Sequence, residues 1–295
     1  MGVTGLARWI NAPATGLPLV KDNLVQNHNA HVIGKWNLSI RSYRSVLGGP
    51  VDRNLYTLTI ASEDRVFVHI EDPAAHNRSD VLAAAPPGEE AAYLQSPTHF
   101  RNTFITLKPM GGLEQLLTQI KARWTPVRQS TSGISQKNLM SGQQVIIDGL
   151  VFSIGTDWIV RCGNVNLAGG AVRGMILEAE YVPLPVLRSS MADGTSELLS
   201  NLLTSILPNI RDAKTVAVTS SDSQWADILW DREEEVKSFE ASNAGPAQEK
   251  SDPDDPYNWD NDEVVELKKG DWMGLDRDQR SAFLIMGALR QEGLL

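Results

Sequence analysis

The chain of 295 residues has one cysteine, Cys162. A lone thiol excludes an internal disulfide framework and a cysteine-rich zinc site, and it suits a reducing compartment. Its place in an alternating strand predicts a small buried hydrophobe rather than a nucleophile. No apolar run approaches eighteen residues, so no membrane-spanning helix is expected. MGVTGLARWINAP has no basic stretch followed by a long apolar core, so no secretory signal is expected either. Gly2 invites N-myristoylation, but Leu6 stands where that pattern wants serine or threonine. Catalytic signatures are missing as well: there is no phosphate-binding loop with Gly-Lys-Ser/Thr, no nucleophile elbow and no His-Glu-x-x-His. The pairs Gly111-Gly112 and Gly169-Gly170 lack the strand–turn–helix setting of dinucleotide binding and are explained as turns. His28, His31, His69, His76 and His99 have no neighbouring Cys or carboxylate cluster to complete a metal shell. No cofactor and no metal are expected.

Positive charge is also scarce, with 27 Lys/Arg against 36 Asp/Glu and a net charge of −9. The deficit is local. Between Asp222 and Glu266 fifteen acidic residues face three basic ones, which leaves 21 acids and 24 bases elsewhere. That near-neutral remainder has no basic stripe, so direct nucleic-acid binding is not expected.

What is present is alternation at period two, the mark of half-buried strands. It predicts a first strand at Val3 to Ile10. It continues through Trp36, Leu38, Ile40 and Ser42, then Leu55 to Ala61, then Val66, Val68 and Ile70, with Ser62-Glu63-Asp64 as a hairpin connection. Phe100 to Leu107, Val145 to Ile147, Leu150 to Ile154, Trp158 to Asn166 and Val172 to Val182 complete the set. Leu17 to Val32 is ambiguous, with weak helical spacing. Asp72 to Pro97, rich in Ala, Pro, Gly and charge, is expected to be a long surface insertion. Gln129 to Gly142 is expected to be a loop or an irregular strand. Helical spacing appears in Leu113 to Trp124, stopped by Pro126, and in Ser196 to Leu207. The first of these helices is expected to pack on the barrel side through Leu116, Ile120 and Trp124.

The expected fold class is α+β: an antiparallel β-barrel of about eight strands with packed helices, since closure removes exposed edges. The expected barrel domain is 1–208, with the insertion at 72–97. Residues 209–270 have the composition of an acidic, largely disordered linker. Within it Trp225, Leu229 and Trp230 suit either a partner motif or a short helix docking on the barrel. Residues 271–295 are expected to be helical, with Asp276 and Gln279 as a capping box, Phe283, Met286 and Leu289 as an apolar stripe, and Gly293 as the stop. Whether that helix docks on its own barrel or on another chain is left open.

Glu178 and Glu180 are the chemical question. Two apart on a strand, they point the same way and suit a divalent cation inside a barrel. Glu-x-Glu in such a place resembles the tunnel triphosphatases, which also need inward cations on neighbouring strands. Lys35, Arg41, Arg44, Arg101, Lys108, Arg161 and Arg173 show no repeated alternation. Because Met175, Leu177, Ala179 and Tyr181 form the apolar face, the glutamates are expected to point outward, to water or to a partner.

The residue order itself resembles a known family. Met1-Gly2-Val3-Thr4, Leu150-Val151-Phe152, Arg161-Cys162-Gly163-Asn164-Val165, Arg173-Gly174-Met175 and Leu177-Glu178-Ala179-Glu180-Tyr181 resemble subunit 20 of the Mediator complex of RNA polymerase II. The resemblance covers roughly Met1 to Pro208, and its specific part is the opening tetrapeptide with Leu150 to Val182. It implies a nuclear, non-enzymatic barrel subunit of the Mediator head module that activates transcription as a coactivator. Its implied partners are subunit 18, a related barrel forming a heterodimer with it, and subunit 8. Through the head module it would bear indirectly on RNA polymerase II and the initiation factors. The expected interface anchors are Trp36, Trp158, Tyr181, Phe283, Met286 and Leu289, since a few aromatic and aliphatic residues carry most interface affinity.

Overall fold

Period-two alternation becomes ten strands among the residues described by the computed structural model, which are 2–45, 51–119, 124–127, 144–185, 196–208, 211, 213–220, 222–231 and 272–295. The strands are β1 (Val3–Trp9), β2 (His31–Ser45), β3 (Asn54–Ile60), β4 (Arg65–Glu71), β5 (Asn102–Leu107), β6 (Trp124–Pro126), β7 (Gln144–Ile154), β8 (Trp158–Leu167), β9 (Val172–Tyr181) and β10 (Thr215–Val218). The helices are α1 (Gly16–Asn27), α2 (Arg78–Ala84), α3 (Glu90–Gln95), α4 (Gly111–Gln119), α5 (Glu197–Ile206), α6 (Asp222–Ile228) and α7 (Gly274–Gln291). All ten strands join one sheet in the order β10-β1-β9-β8-β7-β2-β3-β4-β5, with β6 on β2, and every pairing is antiparallel.

The class is α+β with a large antiparallel sheet, as expected, but the sheet is not closed: its end strands β10 and β5 do not pair. It is strongly curled instead. α7 packs on β1, β3 and β4, and its side chains also bond to β5 and β9. β1 and β5 stand seven places apart in the strand order. On a flat sheet that is about 34 Å at ~4.8 Å per strand, three times the ~10–12 Å width of a helix. One helix can touch both only if the sheet wraps around it. The C-terminal helix therefore docks on its own sheet and fills the channel.

The outer side of the sheet is covered in two places. α5 lies over β9 and β1, and α1 over β8. Beneath them Met175, Leu177, Ala179, Val160, Cys162 and Trp9 are at or near zero exposure. Ser196 starts α5 as its N-cap, accepting from the Leu199 amide, so the hydroxyl satisfies a donor the helix cannot. A second apolar cluster joins Leu113 of α4 to Leu55, Val66 and Val68 of β3 and β4.

Several boundaries differ from the sequence expectation. α4 is described as far as Gln119, its Leu116 is exposed, and Trp124 belongs to β6, whose edge position tolerates Pro126. Ile120 and the segment 129–142 lie outside the described residues. The insertion at 72–97 contains α2 and α3 and is tied down: Asp72 takes bonds from Arg53 and His99, both at 2.7 Å. The region expected as linker begins with β10 and α6, so the folded part extends past residue 208; residues 232–270 lie outside the described set. Trp225 of α6 is 3% exposed and packs near Phe283, while Trp230 meets Phe100 edge-on at 4.6 Å. α7 starts two residues before Asp276 with Met273 as N-cap and no side-chain cap, and Gln279 instead donates to Thr106 Oγ1. Its end is as expected. Gly293 takes a positive φ of 67°, and the Leu294 amide returns to the Leu289 carbonyl, burying Leu294.

Where β7 crosses β8, Gly149 faces Gly163. A Cβ on Gly149 would come within 2.0 Å of the Cys162 carbonyl oxygen, which is backbone and cannot swing away. Gly149→Ala is expected to lower unfolding free energy by about 1–3 kcal/mol, the range for overpacking, measured as a lower urea midpoint. An unchanged midpoint would show that the two strands can separate there without cost.

Candidate functional site

The β8–β9 register places Arg161 opposite Glu178 and Leu6 of β1 on the other side of it. Strand geometry then sends Glu178, Glu180 and Arg161 to the same sheet face, the inner one, where α7 lies. Glu178 is 1% exposed and Glu180 3%. This overturns the outward orientation expected for them. The apolar face of β9 is buried too, under α5, so the alternation separates two interiors rather than interior from water.

Four charged groups meet at this point. Arg161 Nη1 reaches Glu178 Oε1 at 2.5 Å and Glu180 Oε2 at 2.8 Å. Arg277 of α7 donates to Glu178 Oε1 and reaches Glu180 Oε2 at 3.2 Å. Ser281, one turn further along α7, donates to Glu178 Oε2, and Arg277 Nε donates to Thr4 Oγ1 at 3.2 Å. Two carboxylates are thus matched by two guanidiniums. Burial alone would push the Glu178 carboxyl up, but Arg277 and Arg161 and the Ser281 hydroxyl outweigh it and hold the pKa at about 2. Burial likewise opposes the Arg277 charge, and Glu178 and Glu180 raise its pKa further above its ordinary value.

Further polar pairs line the channel. Arg8, 1% exposed, donates to Glu292 at 2.8 and 2.6 Å and to the Met175 carbonyl at 2.5 Å. Arg65 bonds Asp278 at 2.8 Å, and Arg290 bonds Glu71 at 2.6 Å. His69 of β4 is 4% exposed, bonded to Asn102 and packed edge-on against Phe283 at 5.4 Å. Burial drives its pKa down to about 4, with the Asn102 bond opposing and Arg290 assisting.

The six anchor candidates do not gather in one place. Met286 and Leu289 are buried in the channel, at 2% and 0% exposure, and Trp36 is buried on β2 at 7%. These three serve the chain's own core. Phe283 is half-buried among His69, Phe104 and Trp225. Trp158 and Tyr181 stay half-buried and pack on each other at 4.7 Å, directly paired across β8 and β9. They sit at one end of the sheet, beside the β7–β8 turn carrying Ile154. The start of β2 adds exposed Val32 and Ile33 at a bulge, and Leu184 follows β9, also exposed. This end of the sheet is an apolar rim.

Sequence reasoning missed Arg277 and Ser281 as the partners of Glu178. Nothing local points to residues about a hundred positions away. Arg161 was within reach, because folding the β8–β9 hairpin on paper already sets it opposite Glu178. Cys162 is fully buried, and burial pushes its thiol up to about 12, the inert condition expected. Among the described residues no three His, Cys, Asp or Glu gather as metal ligands.

The family described as TATA-binding related factor (TRF) of subunit 20 of Mediator complex matches residues 1–231. No curated protein matches the chain. Among solved structures, the PH1012 protein of Pyrococcus horikoshii OT3 is 11% identical with a TM-score of 0.34, over 72% of this chain and 94% of that one. A conserved hypothetical protein from Pyrococcus furiosus is 8% identical with a TM-score of 0.36, over 72% and 95%.

Proposed function

The chain belongs to the family of subunit 20 of the Mediator complex, a Mediator subunit involved in transcription, and on that footing we propose that it is a non-enzymatic, nuclear subunit of the head module. It would act by protein–protein contact, pairing with subunit 18 and joining subunit 8, and so bear on RNA polymerase II and the initiation factors as a coactivator. The observation that carries the non-catalytic reading is the state of Glu178 and Glu180. Both oxygens of Glu178 and Oε2 of Glu180 are engaged by Arg161, Arg277 and Ser281, and the channel around them is filled by α7. A tunnel-type triphosphatase would need those carboxylates open to a cation and the neighbouring arginines open to phosphate. Here each neutralises the other, so that alternative is not supported.

With the channel filled, partner contact falls to the outside of the fold. Of the three half-buried anchor candidates, Phe283 packs among His69, Phe104 and Trp225, while Trp158 and Tyr181 lie together on a rim that includes Ile33 and Leu184. Desolvated aromatics of this kind contribute about 2 kcal/mol or more each when an interface closes over them. The test is co-purification of the full chain with subunits 18 and 8. The whole chain is needed because β10 and α7 complete the fold. Stable association is expected, weakened about 30-fold by Trp158→Ala. No association between folded chains would sink the proposal, and an unchanged affinity in the variant would move the anchor elsewhere.

A further inference from the structure

β2 is much longer than the strand beside it. Pairing with β3 begins at Leu38, opposite Ile60, and runs to Arg44. After Ile60 the chain turns away through a 3-10 turn at Ala61–Glu63 and enters β4. From His31 to Asn37, β2 is therefore paired with β7 on one side, and among the described residues no strand pairs with its other side. Seven extended residues span about 23 Å at ~3.3 Å each, longer than an average strand. Along such an edge alternate backbone N–H and C=O groups point outward with no ladder to receive them. The end strands of the sheet offer less. β5 has α6 packed against it, and β10 is four residues long.

We propose that this edge of β2 receives an extended segment of a partner protein as an added antiparallel strand, with an acidic side chain placed opposite Lys35. In this mode of recognition backbone hydrogen bonds supply the pairing and side chains select the partner. Every pairing in the sheet is antiparallel, and the added segment takes the course β3 would follow had it not turned. Trp36 faces the inner side at 7% exposure, so alternation sends Lys35 to the outer side, where it is exposed. Among the described residues Lys35 has no ion pair, and Asp148 of β7, on the same face, stands opposite Asn37 instead. At its start the edge carries Val32 and Ile33, 47% and 56% exposed, which belong to the apolar rim. The fitting segment thus combines one acid with apolar residues that reach those two. The proposal rests on the partner-contact reading for the rim alone. A second copy of the chain fits poorly, because His31 to Asn37 contains no Asp or Glu. Two such edges paired about Gly34 would set both Lys35 side chains on one diagonal, about 7–8 Å apart, with no counter-charge.

The test titrates the isotope-labelled full chain with a cyclised β-hairpin peptide whose open strand alternates threonine and valine around a central glutamate. Cyclisation removes much of the ordering cost that weakens linear peptides. Binding with Kd below about 1 mM is expected. Alternate amides within His31 to Asn37 should gain hydrogen-exchange protection, while those already bonded to β7 stay as they were. The same hairpin with lysine at its centre should bind about fivefold more weakly, the ratio for one cross-strand ion pair exchanged for like charges. With Lys35→Glu, a change at an exposed position, that preference should reverse. Absence of binding at about 1 mM would overturn the proposal. Protection on another edge, protection without alternation, or an unchanged preference in Lys35→Glu would overturn it as well. So would self-association that protects His31 to Asn37 without peptide, since the occupant would then be a second copy. The readout needs only this chain and the peptide, so its outcome is separate from association with subunits 18 and 8.

Discussion

Arg277→Ala is expected to destabilise the protein by about 3–5 kcal/mol, the usual result of removing one partner from a buried ion pair. Glu178 and Glu180 would then share Arg161 alone, inside a channel where they are 1% and 3% exposed. Water entering the vacated space would carry no compensating charge, and Ser281, Ala282 and Ile285 remain buried beside it. The measurement is the urea unfolding midpoint, together with amide hydrogen exchange across Gly274–Gln291, which should lose protection first. The comparison that isolates charge is Arg277→Met with Glu178→Gln, which leaves Arg161 paired with Glu180 at 2.8 Å. Removing both signs together should recover a large part of the loss, since replacing a buried pair by neutral groups is often nearly neutral. A single variant within about 1 kcal/mol of the parent would mean that Arg277 adds little to the apolar contacts and remaining ion pairs that hold α7.

Acid is expected to weaken the fold in two successive steps. The Glu178 carboxyl is held at about 2. The unfolded carboxyl takes its proton near 4.5, so below that pH the unfolded state binds the extra proton and stability falls until the folded group titrates too. His69 is held at about 4 against 6.5 when unfolded. Its imidazole must stay neutral in the fold, so stability falls as pH drops from 6.5 to 4. Each displacement corresponds to about 3 kcal/mol over its full window. Both contributions have the same sign and are complete above pH 6.5. Urea midpoints measured from pH 8 to pH 3 should therefore decline in two stages. His69→Phe should flatten the upper stage, where Asn102 and Arg290 are the groups facing the ring. Glu178→Gln should flatten the lower one. A midpoint that does not move between pH 8 and pH 5 would contradict the neutral, desolvated histidine.

Much of the sheet could be read along the chain. β3, β4, β8 and β9 follow from alternation, because a strand with one buried face needs every second side chain apolar. The helix over Ser196 to Leu207 was legible from leucines recurring at helical spacing. Trp124 was misplaced into a helix because its spacing after Leu113, Leu116 and Leu117 fits 3.6 residues per turn. Only pairing with β2 shows that it belongs to a strand. The short elements β10 and α6 were hidden by composition: their four and seven residues sit at the edge of an acidic region, and what orders them is contact with β1 and β5.

The candidate site shows the limit more sharply. The pattern of β9 correctly named its apolar face and its charged face, and a one-sided sheet would then have put Glu178 in water. α7 makes the sheet two-sided. Burial of a charged face requires opposite charge in the right place, and that charge comes from Arg277, 99 residues further on.

By itself the sequence determined the α+β class, most strands and turns, the single inert thiol and the residue order of the Mediator subunit family. All of these rest on neighbours within a few positions or on the linear order of residues. The tertiary structure alone decided that the sheet curls without closing, that its C-terminal helix fills it, and that two glutamates are buried and neutralised rather than presented. Those outcomes depend on which distant segments share one interior. Period and composition constrain the face a side chain takes but not what will cover that face.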